Sequence, residues 1–189
     1  MELASKLHAI FANQVAITLD EMQELMAHWQ VEKKLKRGEF LNRKGQVEKH
    51  LYFVKSGCMR IYYPNKAEEI CVGFAYENTL ICSYPSFIKA NPSDYYIQAL
   101  KPTQVVGIPR SDFYQVVERF PKLERAWRKL TEEALLGKIQ REVEMLTFTP
   151  KERYERLLHR SSHLFQKVPL KYIASYLGMS PETLSRIRK

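Results

Sequence analysis

Residues 169–189, PLKYIASYLGMSPETLSRIRK, carry the most specific structural signal in the sequence. The spacing of their apolar residues predicts a helix over Leu170–Leu177. Gly178 ends this helix, because glycine adopts a positive φ at low cost. Ser180 is typical of an N-cap and Pro181 of a first helical position, so a second helix follows a tight turn. The residues predicted to face inward are Ile173, Ala174, Leu177, Leu184 and Ile187.

Two short helices joined by such a turn form a helix-turn-helix, whose second helix fits the major groove of duplex DNA, about 12 Å wide. Glu182, Ser185 and Arg186 face outward on the second helix. Arg186 is suited to bind guanine O6 and N7 together, and Glu182 to accept a hydrogen bond from the cytosine amino group. The side chains suited to phosphate contacts are Lys171, Ser180, Thr183, Arg188 and Lys189. An ordinary helical hairpin with a solvated face is the alternative.

The charge distribution agrees with a polyanionic partner. The chain has 189 residues and a formal net charge of +9. Residues 147–189 hold nine Lys or Arg and three Asp or Glu, which gives this segment a charge of +6. The excess of positive charge is therefore concentrated around the helix-turn-helix, as expected of a nucleic-acid-binding segment.

Residues 31–110 show a different pattern, in which short apolar and β-branched runs alternate with turn signals. Seven or eight such runs, from VEKKLK at 31–36 to QVVGIP at 104–109, predict an antiparallel sandwich or barrel. A helix precedes them, because Thr18 and Glu21 form a capping box. A second capping box, Thr149 to Glu152, opens a helix that directs Tyr154, Leu157 and Leu158 toward the core.

A long helix is predicted over residues 122–146, after a shorter helix capped by Ser111. It carries two apolar stripes, and a β domain of this size is too small to cover both along about 37 Å. A partner helix in a homodimer is the predicted solution, and a lone helix lying across the β domain is the alternative. The predicted interface consists of Leu123, Trp127, Leu130, Ala134 and Gly137. The second stripe consists of Leu135, Ile139, Val143 and Leu146.

The stretch from Ile173 to Ile187 resembles the helix-turn-helix motif of the Crp/Fnr superfamily of bacterial regulators. The resemblance covers nearly the whole chain and implies an α+β fold. Its parts would be a double-stranded β-helix sensor domain (jelly roll, cyclic-nucleotide-binding-domain-like; residues 1–121), a dimerisation helix (122–146) and a DNA-binding domain (147–189). It also implies a homodimer on palindromic duplex DNA, with Glu182 and Arg186 reading bases and RNA polymerase as a further candidate partner. Pro181 departs from the family, in which many members carry a base-contacting Arg, so the operator is left open.

The cyclic-nucleotide pocket departs further from the family pattern. Family members that bind cyclic nucleotides hold the phosphate with an Arg-Ser pair, whereas this chain offers Ser83 with Tyr84 and Ser93 with Asp94. No arginine occurs between Arg60 and Arg110. We therefore expect that cyclic AMP and cyclic GMP do not bind in the usual way. An unknown small-molecule effector, a vestigial pocket and a signal passed through protein contacts all stay open.

Other classes of protein are less consistent with the sequence. Cys58, Cys71 and Cys82 are widely spaced and are expected to be free thiols rather than metal ligands, so we expect no metal and no cofactor. No signal peptide or membrane span is evident, and a cytoplasmic protein without enzymatic activity is expected. A cupin-like small-molecule-binding protein or enzyme remains an alternative, as does a signalling adaptor with little DNA affinity.

Overall fold

The computed structural model of the chain describes residues 2–66 and 68–188. Two helices precede the β domain, α1 (Glu2–Ala12) and α2 (Leu19–Ala27). The β domain contains β1 (Val31–Leu35), β2 (Phe40–Asn42), β3 (His50–Ser56), β4 (Cys58–Asn65), β5 (Glu68–Tyr76), β6 (Leu80–Ile81), α3 (Tyr84–Lys89), β7 (Tyr96–Ala99) and β8 (Thr103–Pro109). The remaining helices are α4 (Arg110–Arg119), α5 (Pro121–Thr147), α6 (Pro150–Ser161), α7 (Leu164–Lys167), α8 (Leu170–Tyr176) and α9 (Pro181–Ile187).

The strands form two four-stranded antiparallel sheets, in the orders β1-β8-β3-β6 and β2-β7-β4-β5. Apolar side chains from both sheets fill the space between them, among them Tyr52, Val54, Met59, Ile97 and Val105. This confirms the predicted jelly roll and the α+β class. Helix α3 was not predicted: the run TLICS at 79–83 forms a strand only over Leu80–Ile81, because Pro85 lies in the first turn of a helix that begins directly afterwards.

The helix caps show where local sequence signals decide the structure. Thr18 Oγ1 accepts a hydrogen bond from the Glu21 N–H at 3.3 Å, and a Glu21 carboxylate oxygen accepts one from the Thr18 N–H at 2.8 Å, as predicted. The prediction that Ser111 caps α4 is wrong. The helix begins at Arg110 directly after strand β8, and the Ser111 hydroxyl donates instead to Asp112 Oδ1 at 2.8 Å.

One face of α5 packs against the chain itself. Leu123 has no exposed surface, and the Trp127 ring packs edge-on against Phe113, with centroids 4.8 Å apart. At 3.6 residues per turn, Leu130, Ala134 and Gly137 project on the same side of the helix. Three of the residues predicted to form the dimer interface, Leu123, Trp127 and Leu130, therefore pack against their own chain, whereas Ala134 and Gly137 are exposed. Periodicity found this stripe but did not reveal what covers it.

The opposite face of α5 is apolar and exposed. It carries five large aliphatic side chains, each between 44% and 78% exposed in the single chain: Leu135, Leu136, Ile139, Val143 and Leu146. Four of the five belong to the second stripe that the sequence indicates. A contiguous exposed apolar stripe of this kind marks an interaction surface. Within residues 2–66 and 68–188, no helix combines the length and apolarity that a bilayer crossing requires.

Candidate nucleic-acid interface

The C-terminal helices α6 to α9 share one apolar core. Its buried residues are Leu157, Leu164, Val168, Ile173, Ala174, Leu177 and Leu184. The inward orientation predicted for α8 and α9 is thus confirmed at Ile173, Ala174, Leu177 and Leu184, while Ile187 is half-buried. Leu158 is an exception, because it is 38% exposed and does not point toward the core as predicted. The segment that follows α6 contains the short helix α7, whose Leu164 is buried in this core.

The turn between α8 and α9 has the geometry that its residues indicate. Gly178 has a φ of +64°, a value that a residue with a Cβ adopts only with strain. Ser180 is the N-cap of α9, and its hydroxyl accepts a hydrogen bond from the Thr183 N–H at 3.2 Å. Pro181 occupies the first turn, where its missing N–H costs nothing. These features fix the angle between the two helices.

The outward face of α9 is polar and accessible. Glu182, Ser185, Arg186 and Arg188 are exposed, while Leu184 on the opposite face is 1% exposed. The Arg186 guanidinium lies close enough to donate to Thr183 Oγ1 at 3.4 Å. Hydrogen bonds from the Glu182 backbone N–H and from Ser180 lower the pKa of the Glu182 carboxyl, so it is an ionised acceptor at neutral pH. This face therefore presents an acceptor and a cationic donor four residues apart.

The remaining predicted contact residues lie near this face. Lys171 is exposed on α8, with its ammonium group 4.9 Å from the centroid of the Tyr172 ring. Thr183 is half-buried and Ser180 is exposed at the start of α9. Lys189 lies outside the described residues. The predicted residues on α9 are thus brought to one side of the domain.

The sequence did not indicate that the β domain supports the helix-turn-helix. Cys58 belongs to the same buried cluster as the core of α6 to α9, and Phe74, Tyr76 and Leu100 pack against that cluster. The Phe74 and Tyr176 rings lie 5.4 Å apart, and Lys138 on α5 donates to the Val72 carbonyl at 3.1 Å. No local pattern signals such contacts, because they join residues 66 or more positions apart.

Two of the four predicted ligand residues are brought together in the jelly roll. Ser83 and Ser93 are both buried, and their hydroxyl oxygens are 2.6 Å apart. Tyr84 is 41% exposed and Asp94 is also exposed, so these two side chains lie on the surface instead. The predicted group of four is therefore not assembled as one site.

A buried carboxylate that sequence reasoning missed completes this cluster. Glu48 is 3% exposed and accepts hydrogen bonds from the N–H groups of His50 at 3.2 Å and Ser83 at 3.4 Å. The Ser86 hydroxyl in turn accepts from the Glu48 N–H at 2.9 Å. Burial raises the pKa of the Glu48 carboxyl. A carboxylate among hydroxyl groups does not fit a cyclic phosphate, which requires cationic or N–H donors.

The chain's cysteines and other metal-ligating residues are dispersed. Cys58, Cys71 and Cys82 are free and buried. Among the described residues, no group of three or more His, Cys, Asp or Glu side chains is arranged to hold a metal ion. Burial raises the pKa of the Cys71 thiol to about 12, so it is protonated and unreactive at neutral pH.

Comparison with known proteins identifies the β domain. The Cyclic nucleotide-binding domain family matches residues 32–120. The chain is 26% identical over 185 residues to the transcriptional activator protein Anr of Pseudomonas aeruginosa, covering 92% of this chain and 75% of that protein. The structure of FixK2 from Bradyrhizobium japonicum shares the fold with a TM-score of 0.75 at 17% identity, covering 84% of this chain and 82% of that one. The Thermus thermophilus catabolite activator protein gives a TM-score of 0.60 at 18% identity, covering 92% and 83%.

Fold and site together define a class of protein in which a cyclic-nucleotide-binding-type jelly roll is joined through a long helix to a helix-turn-helix. Residues 32–120 match the Cyclic nucleotide-binding domain family, and the chain as a whole is similar to transcription regulators of the Crp/Fnr type. Anr and the catabolite activator protein each match 92% of this chain and are named as activators rather than as enzymes.

Proposed function

We propose that this protein is a homodimeric transcription regulator that binds duplex DNA in a sequence-specific manner through α9. The observation that carries the proposal is the outward face of α9, where Glu182, Ser185 and Arg186 are exposed while Leu184 anchors the helix. Arg186 pairs with guanine and Glu182 with cytosine in the major groove. Residues 147–189 act as the DNA-binding domain and residues 1–121 as the sensor domain.

The exposed stripe of α5 supports the homodimer. Of the interface predicted from sequence, Leu123, Trp127 and Leu130 are covered by the chain itself, while Ala134 and Gly137 are exposed. We assign the main contact between protomers to large aliphatic side chains that are uncovered in the single chain, namely Leu135, Leu136, Ile139, Val143 and Leu146. Two parallel copies of α5 bury this stripe against each other. A two-fold dimer then places two recognition helices about 34 Å apart, which matches the spacing of the two half-sites of a palindrome. We expect such a regulator to act in the cytoplasm, where the DNA lies.

This function is tested by measuring the affinity for a DNA duplex selected from a random pool, over a series of salt concentrations. Arg186→Lys keeps the charge but loses the bidentate geometry, so the preference for one base pair should fall by about 1–3 kcal/mol with little change in the salt slope. Arg186→Ala should lower both the preference for that base pair and the dependence of binding on salt concentration. Arg125→Ala, at an exposed position on α5, is the control for the lost charge. Binding that is weak, steeply salt-dependent and indifferent to sequence would contradict the proposal.

We further propose that the sensor domain does not bind cyclic AMP in the usual way. The arrangement of Glu48 with Ser83, Ser86 and Ser93 supports this, since these groups bind one another and include a buried carboxylate, which would repel a phosphate. Calorimetric titration with cyclic AMP should give no binding heat and no change in DNA affinity. Saturable binding that strengthens DNA affinity would contradict it. A small-molecule effector would then belong to a chemical class other than cyclic nucleotides. RNA polymerase is a separate candidate partner.

A further inference from the structure

Helix α8 lies along the edge of the β2-β7-β4-β5 sheet, beside its last strand, β5. The Ser175 hydroxyl accepts a hydrogen bond from the Cys71 N–H at 3.0 Å and donates one to the Glu69 carbonyl at 3.1 Å. These two backbone groups point outward from an edge strand, where a further strand would otherwise bind them. A single side chain of the helix-turn-helix thus replaces a strand partner at this edge.

A buried arginine provides the second contact between α8 and the sheet. Arg60 on β4 is 3% exposed, and its guanidinium carbon lies 4.2 Å from the ring centroid of Tyr62 and 4.1 Å from that of Tyr172 on α8. Glu69 Oε2 lies 2.6 Å from the same guanidinium, and Gln98 Oε1 accepts hydrogen bonds from it at 2.9 and 2.6 Å. If α8 left the sheet, one face of this desolvated cation would lose its aromatic partner.

The helix-turn-helix is held on a second side by α5. Arg141 donates to the Tyr176 carbonyl at 2.8 Å, and Glu144 on α5 pairs with Arg160 on α6 at 2.6 Å. Contacts to α5 alone would leave the domain free to pivot about that helix. The hydrogen bonds at Ser175 remove this freedom together with the apolar contacts of Phe74, Tyr76 and Leu100, while the outward face of α9 stays accessible. The docked arrangement therefore orients the recognition helix without blocking it.

We propose that Ser175, together with Arg60 and Tyr172, positions α9 relative to the sensor domain and so sets the half-site spacing that the dimer accepts. The inference rests on the proposed function as a DNA-binding dimer. Half-sites about 10 bp apart require both recognition helices to meet successive major grooves in register. A fixed α8 permits one spacing, whereas a pivoting α8 accommodates several.

The experiment compares wild type, Ser175→Ala and Ser162→Ala, the last at an exposed serine of the same domain. Fluorescence anisotropy measures affinity for a selected palindrome, for duplexes with half-sites one or two base pairs closer or further apart, and for a single half-site. Ser175→Ala should reduce discrimination between spacings about tenfold, the factor expected for two lost hydrogen bonds, with unchanged half-site affinity. Ser162→Ala should match wild type.

Hydrogen exchange at the Cys71 amide provides a readout that does not depend on DNA. Hydrogen exchange at this amide should be slow in wild type and faster in Ser175→Ala. Tyr172→Leu should also reduce the discrimination between half-site spacings. Faster exchange with unchanged spacing discrimination would overturn the positioning role, and so would unchanged exchange. Equal weakening on the half-site and on every spacing would show damage to the fold and also overturn it. Failure of wild type to bind any duplex would instead overturn the proposed function, and this inference with it.

Discussion

The exposed stripe of α5 gives a quantitative prediction for the substitution Ile139→Glu. Ile139 is 48% exposed in the single chain and lies in the middle of the stripe. Complete burial of an aliphatic side chain of this size contributes about 1.5–3 kcal/mol, so covering the exposed half of Ile139 contributes about 1 kcal/mol per protomer. A symmetric dimer contains the residue twice, so the substitution removes about 2 kcal/mol of apolar contact.

The introduced carboxylate adds a further cost. A Glu that must become neutral at pH 7 to enter an apolar seam loses up to about 3.7 kcal/mol, because its ordinary pKa is near 4.3. Two such side chains facing each other repel if they remain charged. The apolar loss alone corresponds to an increase of roughly thirtyfold in the dimer dissociation constant, which is therefore the minimum expected.

Sedimentation velocity across a concentration series measures this dissociation constant directly. Gln140→Glu is the matched control, because it adds the same charge one position away, outside the stripe. We expect Gln140→Glu to dimerise like wild type and Ile139→Glu to be largely monomeric, with circular dichroism spectra that coincide. Equal dissociation constants for both variants would refute the assignment of the interface to this face of α5.

Three further substitutions test other parts of the structure. Ser180→Ala should lower the free energy of unfolding by about 1 kcal/mol in urea titrations, because it removes the N-cap of α9; an unchanged midpoint would contradict the cap. Arg160→Ala should lower the free energy of unfolding by about 3 kcal/mol, because it leaves the buried Glu144 carboxylate without its partner. A decrease of less than about 0.5 kcal/mol would contradict this, since it is typical of exposed salt bridges. Burial raises the pKa of Glu48 in the folded protein, so the folded state binds this proton more tightly than the unfolded chain does. Stability of wild type relative to Glu48→Gln should therefore rise as the pH falls from neutral through the raised pKa, and parallel pH profiles would contradict this.

The helix-turn-helix was predictable from sequence because its signals are local. Gly178, Ser180 and Pro181 each specify a backbone conformation or a cap within one or two residues of their own position. The alternation of short apolar runs likewise predicted seven or eight strands, since strand period and turn residues are read over a few positions. The capping boxes at Thr18 and Thr149 were predicted for the same reason, and both are present.

Features that depend on distant residues could not be predicted in the same way. The two stripes of α5 were visible as periodicity, but sequence alone did not reveal that Leu123 and Trp127 face the chain's own core. The role of Ser175 depends on a strand about 100 residues earlier, and Glu48 carries no signal that distinguishes it from a surface carboxylate. In each case the contact is set by the tertiary arrangement of helices and strands rather than by neighbouring residues.

The central claim is that α9 reads DNA sequence, and selection from a random duplex pool with wild type and Arg186→Lys tests it most directly. We predict that wild type enriches one palindromic motif and that Arg186→Lys loses preference at one symmetric pair of positions within it. Enrichment of no motif by wild type, or of an identical motif with identical base preferences by both proteins, would contradict the claim.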